Sequence, residues 1–342
     1  MAKIRQFNIL HYNKVKKMLS DIFPEESLSL FYTVLGLPFD IVQPFMPLLL
    51  KKSPESYITL NDENVAKAFI TLEAAYKNRR KWYIKSLFLD KNSYTEGKQL
   101  IDFTVARYGA LGADTFCVLV DENDDTSAGL FSKMCGFRLC SREVLWKVPD
   151  FNTINTPYKK DCFQKFSNSD KNKISDFYNE CILPPFRFSL EKEPNEFLQK
   201  INFGFLNSTF FKLYIKDANN IIMAYVELQC SSVHDWIIDL IVSKSFEDEY
   251  LLILKALINV LKNRSKDSNI FVLNKNYMSC AKNCENVLIA VGCEKIQSKM
   301  LFVKDFYKPV KNSENIVNPA LIFKEISGKP AFFSNNSLQK SD

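Results

Sequence analysis

The order of elements between Lys81 and Trp146 constrains the fold of this chain more than any other feature. The segment reads as an apolar strand over Trp82–Leu89, a loop with one glycine, a helix, a second strand and a second helix. Gly136 and a final alternating strand complete it. A loop that leads from a strand straight into a helix presents unpaired amide N–H groups and the positive end of the helix dipole, which suits a phosphate-bearing ligand. The pattern predicts an α/β fold with an anion site after Leu89.

Length, composition and charge predict a globular protein of two domains. The chain has 342 residues, of which 46% are hydrophobic and 25% charged, and this is too long for one ordinary core. The net charge of +6 comes from 45 basic and 39 acidic groups that interleave, so a nucleic-acid partner is not expected. The longest apolar segment, Phe39–Leu50, contains Asp40 and two prolines and is too short to cross a bilayer, so no membrane partner is expected.

The cysteines predict a reducing compartment. Nine are scattered along the chain without a Cys-x-x-Cys pair, and the first residues do not resemble a signal peptide. An odd number of cysteines without a secretory signal favours buried, reduced thiols and a cytoplasmic location. No metal site is predicted, because the closest trio, Cys280, Cys284 and Cys293, has neither zinc-ligand spacing nor a histidine beside it.

The two halves of the chain repeat one order of elements. In the first half, strand patterns at Tyr57–Leu60, Ala66–Ala75 and Trp82–Leu89 precede a helix, Thr95–Tyr108, and another strand, Phe116–Val120. A second helix and a closing strand, Phe137–Val148, follow. The second half follows the same order and ends with the closing strand Lys299–Phe306. We therefore predict a first domain at residues 1–149, a linker at 150–161, a second domain at 162–312, and a tail at 313–342 whose end is disordered.

The loop after Leu89 resembles the Arg/Gln-x-x-Gly-x-Gly/Ala signature of the GNAT (Gcn5-related N-acetyltransferase) superfamily. With Gly97 at the last signature position, Asn92 and Thr95 take the first two. A shift of two residues instead puts Gly97 in the middle, with Tyr94 first and Gln99 last. We favour the first register because it keeps the face of the helix apolar. The resemblance implies two tandem GNAT-like domains, each a mixed, mostly antiparallel sheet flanked by helices, with a degenerate second domain.

The resemblance also implies acetyl-CoA as co-substrate in the first domain. Amide groups of Glu96, Gly97 and Lys98 would meet the CoA diphosphate, with the ammonium of Lys91 or Lys98 nearby, and the backbone of Leu87–Leu89 would hold the pantetheine arm. The alternative is an ordinary helix N-terminus with Thr95 as its cap. The predicted cofactor-binding residues are Leu87, Leu89, Asn92, Thr95, Glu96, Gly97, Lys98 and Gln99.

A second motif concerns the proton that the departing CoA thiolate would take up. Leu130–Phe137 resembles the Leu-Tyr-x-x-x-Gly-Phe motif of the superfamily, and Ser132 falls at the tyrosine position. A slip of one residue puts Phe131 there, which cannot donate a proton, and serine is a poorer acid than tyrosine. A water or Cys135 could serve instead.

The general base that would deprotonate the amine is predicted to be Glu73 on the third strand. Asp121 or Glu122, after the strand that follows the helix, are the alternatives. Each of these carboxylates could equally be a solvated charge at the end of a strand.

The second half does not repeat the predicted site. Its loop, Ser243–Glu249, has no glycine and carries three carboxylates that would repel a diphosphate, and Leu288 stands at its tyrosine position. The sequence thus predicts an acyl-CoA-dependent N-acyltransferase, acting by direct attack of a small-molecule or peptide amine in the first domain. The competing prediction is a non-catalytic binding or scaffolding protein. The acceptor and the oligomeric state stay open.

Overall fold

The structure of the chain is a computed structural model, and it describes residues 3–22, 55–75, 80–149, 156–198, 209–230, 235–263 and 268–306. The apolar segment Phe39–Leu50, part of the predicted linker and the predicted tail lie outside these ranges. No helix within the described ranges is long and apolar enough to span a bilayer.

Twelve strands of the described chain form one sheet. The positions of most strands follow from the pattern of apolar residues. A strand covered on both faces needs a continuous apolar run, whereas a strand covered on one face needs an apolar residue at every second position. The predicted strands at residues 57–60, 66–75 and 82–89 are all present within two residues. The strands are β1 Lys3–Gln6, β2 Glu55–Leu60, β3 Ala66–Ala74, β4 Lys81–Leu89, β5 Thr115–Asp121, β6 Arg138–Lys147, β7 Gln164–Lys165, β8 Thr209–Lys216, β9 Ile222–Cys230, β10 Asp235–Val242, β11 Asn269–Lys275 and β12 Glu294–Asp305.

The described α-helices lie on both faces of this sheet. The helices are α1 Tyr12–Ile22, α2 Tyr94–Ala110, α3 Asp125–Gly129, α4 Lys171–Cys181, α5 Arg187–Leu190, α6 Tyr250–Lys262 and α7 Ala281–Ala290. A π-helical turn, Leu130–Met134, continues α3. Helix α2 connects the parallel strands β4 and β5, and α6 connects the parallel strands β10 and β11 in the same way. The duplicated order of elements that the sequence indicates is therefore present in the fold.

The two halves exchange their closing strands. The order in the sheet is β1-β2-β3-β4-β5-β12-β6-β11-β10-β9-β8-β7, so β12 lies beside β5 of the first half and β6 lies beside β11 of the second. The two exchanged strands are also antiparallel neighbours, from Glu294 opposite Lys147 to Val303 opposite Arg138. The sequence predicted instead that each strand would close its own half. Because the halves share strands, the division into 1–149 and 162–312 stays a prediction about sequence units.

Two glycines in left-handed backbone conformation begin the exchanged strands. Gly136 has φ +69° and precedes β6, and Gly292 has φ +80° and precedes β12. Glycine is favoured there because a side chain with a Cβ is strained at positive φ. The equivalence of these two glycines, expected from the sequence, holds in the structure.

The buried carboxylate of Asp305 holds the end of β12 in the first half. The side chain is 2% exposed and accepts hydrogen bonds from the guanidinium of Arg138 at 2.7 Å, from Ser189 at 2.8 Å and from Thr115 at 3.2 Å. These donors come from β6, α5 and β5, so one carboxylate ties three elements to the exchanged strand.

Successive residues of each strand pack on opposite faces of the sheet, as the pleat requires. On one face, α2 covers Trp82, Phe116 and Phe302, and α6 covers the corresponding strands of the second half. On the other face, α1 packs against β2 and β3, and α4 packs against residues such as Tyr225 and Leu301. Seven of the nine cysteines are buried in these layers and none is in a disulfide. Burial raises the pKa of the Cys117 thiol to about 12, so it stays protonated.

Candidate functional site

Strands β4 and β5 are partners over only part of their length. Their parallel pairing runs from Lys81 opposite Thr115 to Ile84 opposite Val118. Strand β4 then continues to Leu89, still paired with β3 on its other side, while no described strand pairs with its free edge. The two strands therefore separate at their carboxyl ends and leave a crevice with unpaired backbone groups, the place where ligands bind in open α/β sheets.

The N-terminus of α2 lies at the mouth of this crevice. The helix begins at Tyr94 and its N-cap residue is Ser93, one position before the segment that the sequence predicts. The first helical hydrogen bond runs from the amide of Gly97 to the carbonyl of Ser93 at 3.0 Å. The amides of Tyr94, Thr95 and Glu96 precede that bond and have no acceptor within the helix. Three N–H donors and the positive end of a 17-residue helix are thus available to an anion.

Gly97 keeps the first turn of α2 close to the end of β4. A Cβ built on Gly97 would lie 2.6 Å from Cδ2 of Leu89, far inside van der Waals contact. The side chain of Leu89 therefore fills the space beside Gly97 and fixes the helix N-terminus against the strand. The absence of a side chain at Gly97 serves helix–strand packing.

This arrangement shows which of the predicted amides are already hydrogen-bonded, while their contact with a cofactor stays a prediction. Because the amide of Gly97 donates to Ser93, it is already used. The amide of Lys98, one residue deeper in the helix, follows the same helical pattern. The amide of Tyr94 instead lies before the first helical hydrogen bond, a position that the sequence reasoning missed although the serine before it is a good N-cap residue. Of the predicted amides, that of Glu96 has the required position.

The other predicted binding residues lie around this turn. Asn92 adopts a left-handed conformation, φ +64°, in the loop between β4 and α2. The side chains of Asn92, Thr95 and Gln99 are exposed. Leu87 and Leu89 are half-buried against the core under α2. These residues surround the crevice, and their contact with a cofactor stays a prediction.

Ion pairs engage Asp90 and Lys98, two of the charged residues near the helix N-terminus, whereas Glu96 adds a carboxylate to the first turn. Asp90 follows β4 and its carboxylate accepts a hydrogen bond from Lys67 at 2.6 Å, which lowers the pKa of Asp90. The ammonium of Lys98 pairs with Asp102 one turn further along α2. Asp90 therefore adds little repulsion for a diphosphate, and Lys98 would have to leave Asp102 to reach one.

Glu73, the predicted base, lies on β3 opposite Tyr83 of β4. Its carboxylate is 3.3 Å from the ammonium of Lys85, the first residue of β4 beyond the pairing with β5. Glu73 is thus beside the point where the strands separate, and its role as a base stays a prediction.

Ser132, the predicted proton donor, lies in the π-helical turn after α3. Its hydroxyl donates a hydrogen bond of 2.6 Å to the carbonyl of Ala128. Phe131, the alternative at this position, is buried against Phe137. Burial raises the pKa of Cys135 to about 11, so this thiol is protonated at neutral pH. The hydroxyl proton of Ser132 is therefore already donated to a backbone carbonyl.

The two alternative carboxylates lie at the end of β5 and are already engaged. Asp121 accepts hydrogen bonds from the amide of Asn123 and the side chain of Gln297, and these lower its pKa. Glu122 lies 3.3 Å from Arg142, and hydrogen bonding with Ser298 lowers its pKa. A lowered pKa makes each a weaker base than an ordinary carboxylate.

The second half contains a corresponding separation of strands. Strands β10 and β11 pair only as far as Ile238 opposite Val272, although β10 continues to Val242. A 3-10 segment, Lys244–Glu249, leads into α6 and carries the three carboxylates expected from the sequence. Their charge at this helix N-terminus opposes an anionic ligand.

Comparisons with known proteins agree on the fold. No protein-family model and no curated protein sequence matches the chain. Among solved structures, a GCN5-related N-acetyltransferase from Sphaerobacter thermophilus has a TM-score of 0.54 and 12% identity, covering 89% of this chain and 95% of its own. A tandem GNAT protein from the clavulanic acid biosynthesis pathway has a TM-score of 0.52 and 10% identity, covering 89% of this chain and 98% of its own.

A third similar structure contains a glucosamine N-acetyltransferase region of a fungal multi-domain β-N-acetylglucosaminidase. Its TM-score is 0.53 at 12% identity, over 89% of this chain and 38% of that one. At such identities the similarity concerns the backbone and not the side chains of the site. The separated parallel strands, the helix that follows them and these structural neighbours together show that the chain has the tandem GNAT acetyltransferase fold.

Proposed function

We propose that this protein transfers an acyl group, most simply acetyl, from acyl-CoA to an amine, and that the site is the β4–β5 crevice of the first half. The observation that carries the proposal is the coincidence of two features at the carboxyl end of β4. The free edge of Lys85–Leu89 and the unpaired amides of Tyr94, Thr95 and Glu96 adjoin each other. A strand edge suits the amide-containing pantetheine arm, and the helix N-terminus suits a diphosphate.

The chemistry proposed here is direct attack. The lone pair of the acceptor nitrogen adds to the thioester carbonyl carbon, the C–S bond breaks, and CoA leaves as a thiolate. The nitrogen loses its proton to a base, for which Glu73 with an intervening water is the candidate. A thiol has an ordinary pKa of about 8.5, so the thiolate can leave without a strong acid beside it. The hydrogen bond of Ser132 to Ala128 is therefore compatible with turnover.

The test removes one amide of the helix N-terminus. Proline lacks the N–H and is tolerated at the first position of a helix, so Tyr94→Pro deletes a donor while α2 persists. Tyr94→Ala is the matched control, because it removes the same side chain and keeps the amide. A hydrogen bond to a charged group contributes about 1.5–3 kcal/mol, so we expect Tyr94→Pro to bind acetyl-CoA at least tenfold more weakly than Tyr94→Ala in calorimetry.

Two outcomes would contradict the proposal. One is equal affinity of the two variants, with circular dichroism showing both to be folded. The other is no binding heat with acetyl-CoA at millimolar concentration for the unaltered protein. Release of free thiol in the presence of an amine panel then tests transfer itself.

The second candidate is a non-catalytic binding protein. Its support is specific: the predicted proton donor is bonded to Ala128, and the acidic turn before α6 leaves the second half without an anion site. Saturable acetyl-CoA binding without thiol release for any amine would favour this candidate.

A further inference from the structure

A partly open cavity of about 270 Å³ lies on the face of the sheet opposite α2 and α6. Its volume is just below the usual range of pockets for drug-sized ligands and corresponds to roughly nine water molecules, which is enough for a ligand of amino-acid size. The wall is formed by Tyr83, Leu119, Glu143, Tyr178, Leu190, Lys192, Glu227, Gln229, Ile237, Asp239, Leu273, Lys275, Tyr277 and Leu301.

The cavity adjoins both places where parallel strands separate. Tyr83 precedes the last β4–β5 pair, and Leu119 is the first residue of β5 beyond it. Asp239 and Leu273 are the first residues beyond the last β10–β11 pair. The first half thus contributes mainly an aromatic and aliphatic wall, while the exchanged strand β6 and the second half contribute the charged groups.

Most of the buried charges around the cavity are paired. Lys275 is bonded to Asp239, and both side chains are nearly inaccessible. The carboxylate of Glu227 is 3.5 Å from the ammonium of Lys212. Although burial opposes ionisation of Glu227, Lys192, Lys212 and Lys275 together lower its pKa to about 2. In each pair the two opposite charges compensate for each other, as buried charges require.

Two ionisable groups on the wall lack such a partner in the described chain. The carboxyl of Glu143 accepts a single, long hydrogen bond of 3.5 Å from the Tyr277 hydroxyl, and burial raises its pKa. In the described chain the ammonium of Lys192 makes no hydrogen bond and no ion pair at contact distance, although it interacts electrostatically with Glu227 at longer range. It lies over the ring of Tyr178, 4.3 Å from its centroid, and less closely over Phe197. Both residues are half-buried and line the cavity.

The backbone holds Lys192 in a fixed position. Its amide donates to the side chain of Asn179 at 2.8 Å, and its carbonyl accepts from Asn179 and Ser175 at 3.0 and 2.8 Å. The Tyr178 hydroxyl beside it is buried and has no hydrogen-bond partner of adequate geometry in the described chain. A lysine held in position on a cavity wall without a contacting anion is a feature of ligand sites.

We propose that the cavity binds a small zwitterion of the α-amino-acid class, with its carboxylate on Lys192 and its amine on Glu143. One unpaired acid and one unpaired base on the wall match the two charges of such a molecule, and the pocket volume matches its size. The ligand would lie next to Tyr83 and Leu119, where β4 and β5 separate, so it would be the acceptor of the acyl group. That last role rests on the proposed function, whereas binding does not.

The test measures binding of each standard α-amino acid to the full chain in the absence of acetyl-CoA. Thermal shift and calorimetry detect the binding. We expect at least one to stabilise the protein, and both Glu143→Gln and Lys192→Met to weaken that binding by about tenfold or more. The controls Glu294→Gln and Lys165→Met change exposed groups away from the cavity and should bind as the unaltered protein does.

The preference of the protein for one ligand over another shows whether Glu143 and Lys192 bind the ligand or only stabilise the fold. The unaltered protein should prefer the amino acid over its carboxamide, and Lys192→Met should lose that preference. Glu143→Gln should lose the preference for the amine over its N-acetyl derivative. Binding of no amino acid, or unchanged selectivity in both folded variants, would overturn the proposal. An amino acid that binds without releasing thiol from acetyl-CoA would leave the cavity site standing and refute the acceptor role.

Discussion

Replacement of Gly97 by alanine tests how the crevice is built. The new Cβ would lie 2.6 Å from Cδ2 of Leu89, whereas carbon atoms pack at about 3.5 Å or more, so the first turn of α2 or the leucine must move by nearly 1 Å. Overpacking of this kind lowers the free energy of unfolding by about 1–3 kcal/mol, whereas the higher helix propensity of alanine raises it by about 0.5–1 kcal/mol. We expect a net loss of about 1 kcal/mol.

The matched control is Gly109→Ala in the same helix. No atom of the described residues outside its own helix turn lies within 4 Å of the Cβ position at Gly109, so alanine there should stabilise the protein by about 0.5–1 kcal/mol. The two variants should therefore differ by about 2 kcal/mol in urea unfolding. Because the shift moves the free amides relative to β4, Gly97→Ala should also weaken acetyl-CoA binding on the order of tenfold, while Gly109→Ala should not. Equal stabilisation of both variants, with unchanged binding, would refute the packing role of Gly97.

Three further predictions concern the shared sheet and its buried charges. Asp305→Ala should destabilise the protein by about 2 kcal/mol in urea unfolding, because it removes the acceptor of three donors and leaves buried groups unpaired; unchanged stability would contradict the anchoring role. Glu227 has a depressed pKa in the folded protein, so its contribution, at most about 3 kcal/mol, is present above pH about 4.5 and is lost as the pH falls towards 2. Urea unfolding from pH 6 to 3 should show a flatter pH dependence for Glu227→Gln, and an identical slope would argue against it. A fragment of residues 1–149 lacks β12 between β5 and β6, so it should be unfolded or aggregated by circular dichroism and size exclusion, while a cooperative folded monomer would contradict the strand exchange.

Local patterns sufficed for the elements that form the crevice. Continuous apolar residues predict β4 and β5, and one apolar face predicts α2 to within two residues at each end. Gly136 and Gly292 were equivalent by sequence and are equivalent in conformation. These features depend on residues close in the chain, which is why they can be predicted from sequence.

The exchange of closing strands could not be predicted this way. Strands β6 and β12 have similar lengths and alternation, so either fits beside β5 by pattern alone, and partner choice depends on contacts far apart in the chain. The start of β12 was also predicted five residues late, because Glu294–Ser298 is mostly polar. Glu143 and Lys192 escaped notice for the same reason, since nothing local marks two residues that meet only across the cavity.

Amide hydrogen exchange measured by mass spectrometry tests the central claim most directly. With saturating acetyl-CoA, peptides that cover Leu87–Gly97 should exchange more slowly, because the strand edge and the amides of Tyr94, Thr95 and Glu96 acquire acceptors. Peptides that cover Ser243–Tyr250, the acidic counterpart in the second half, should exchange at an unchanged rate. Protection confined to the second half, or absent from both halves at saturation, would contradict an acyl-CoA site between β4 and β5.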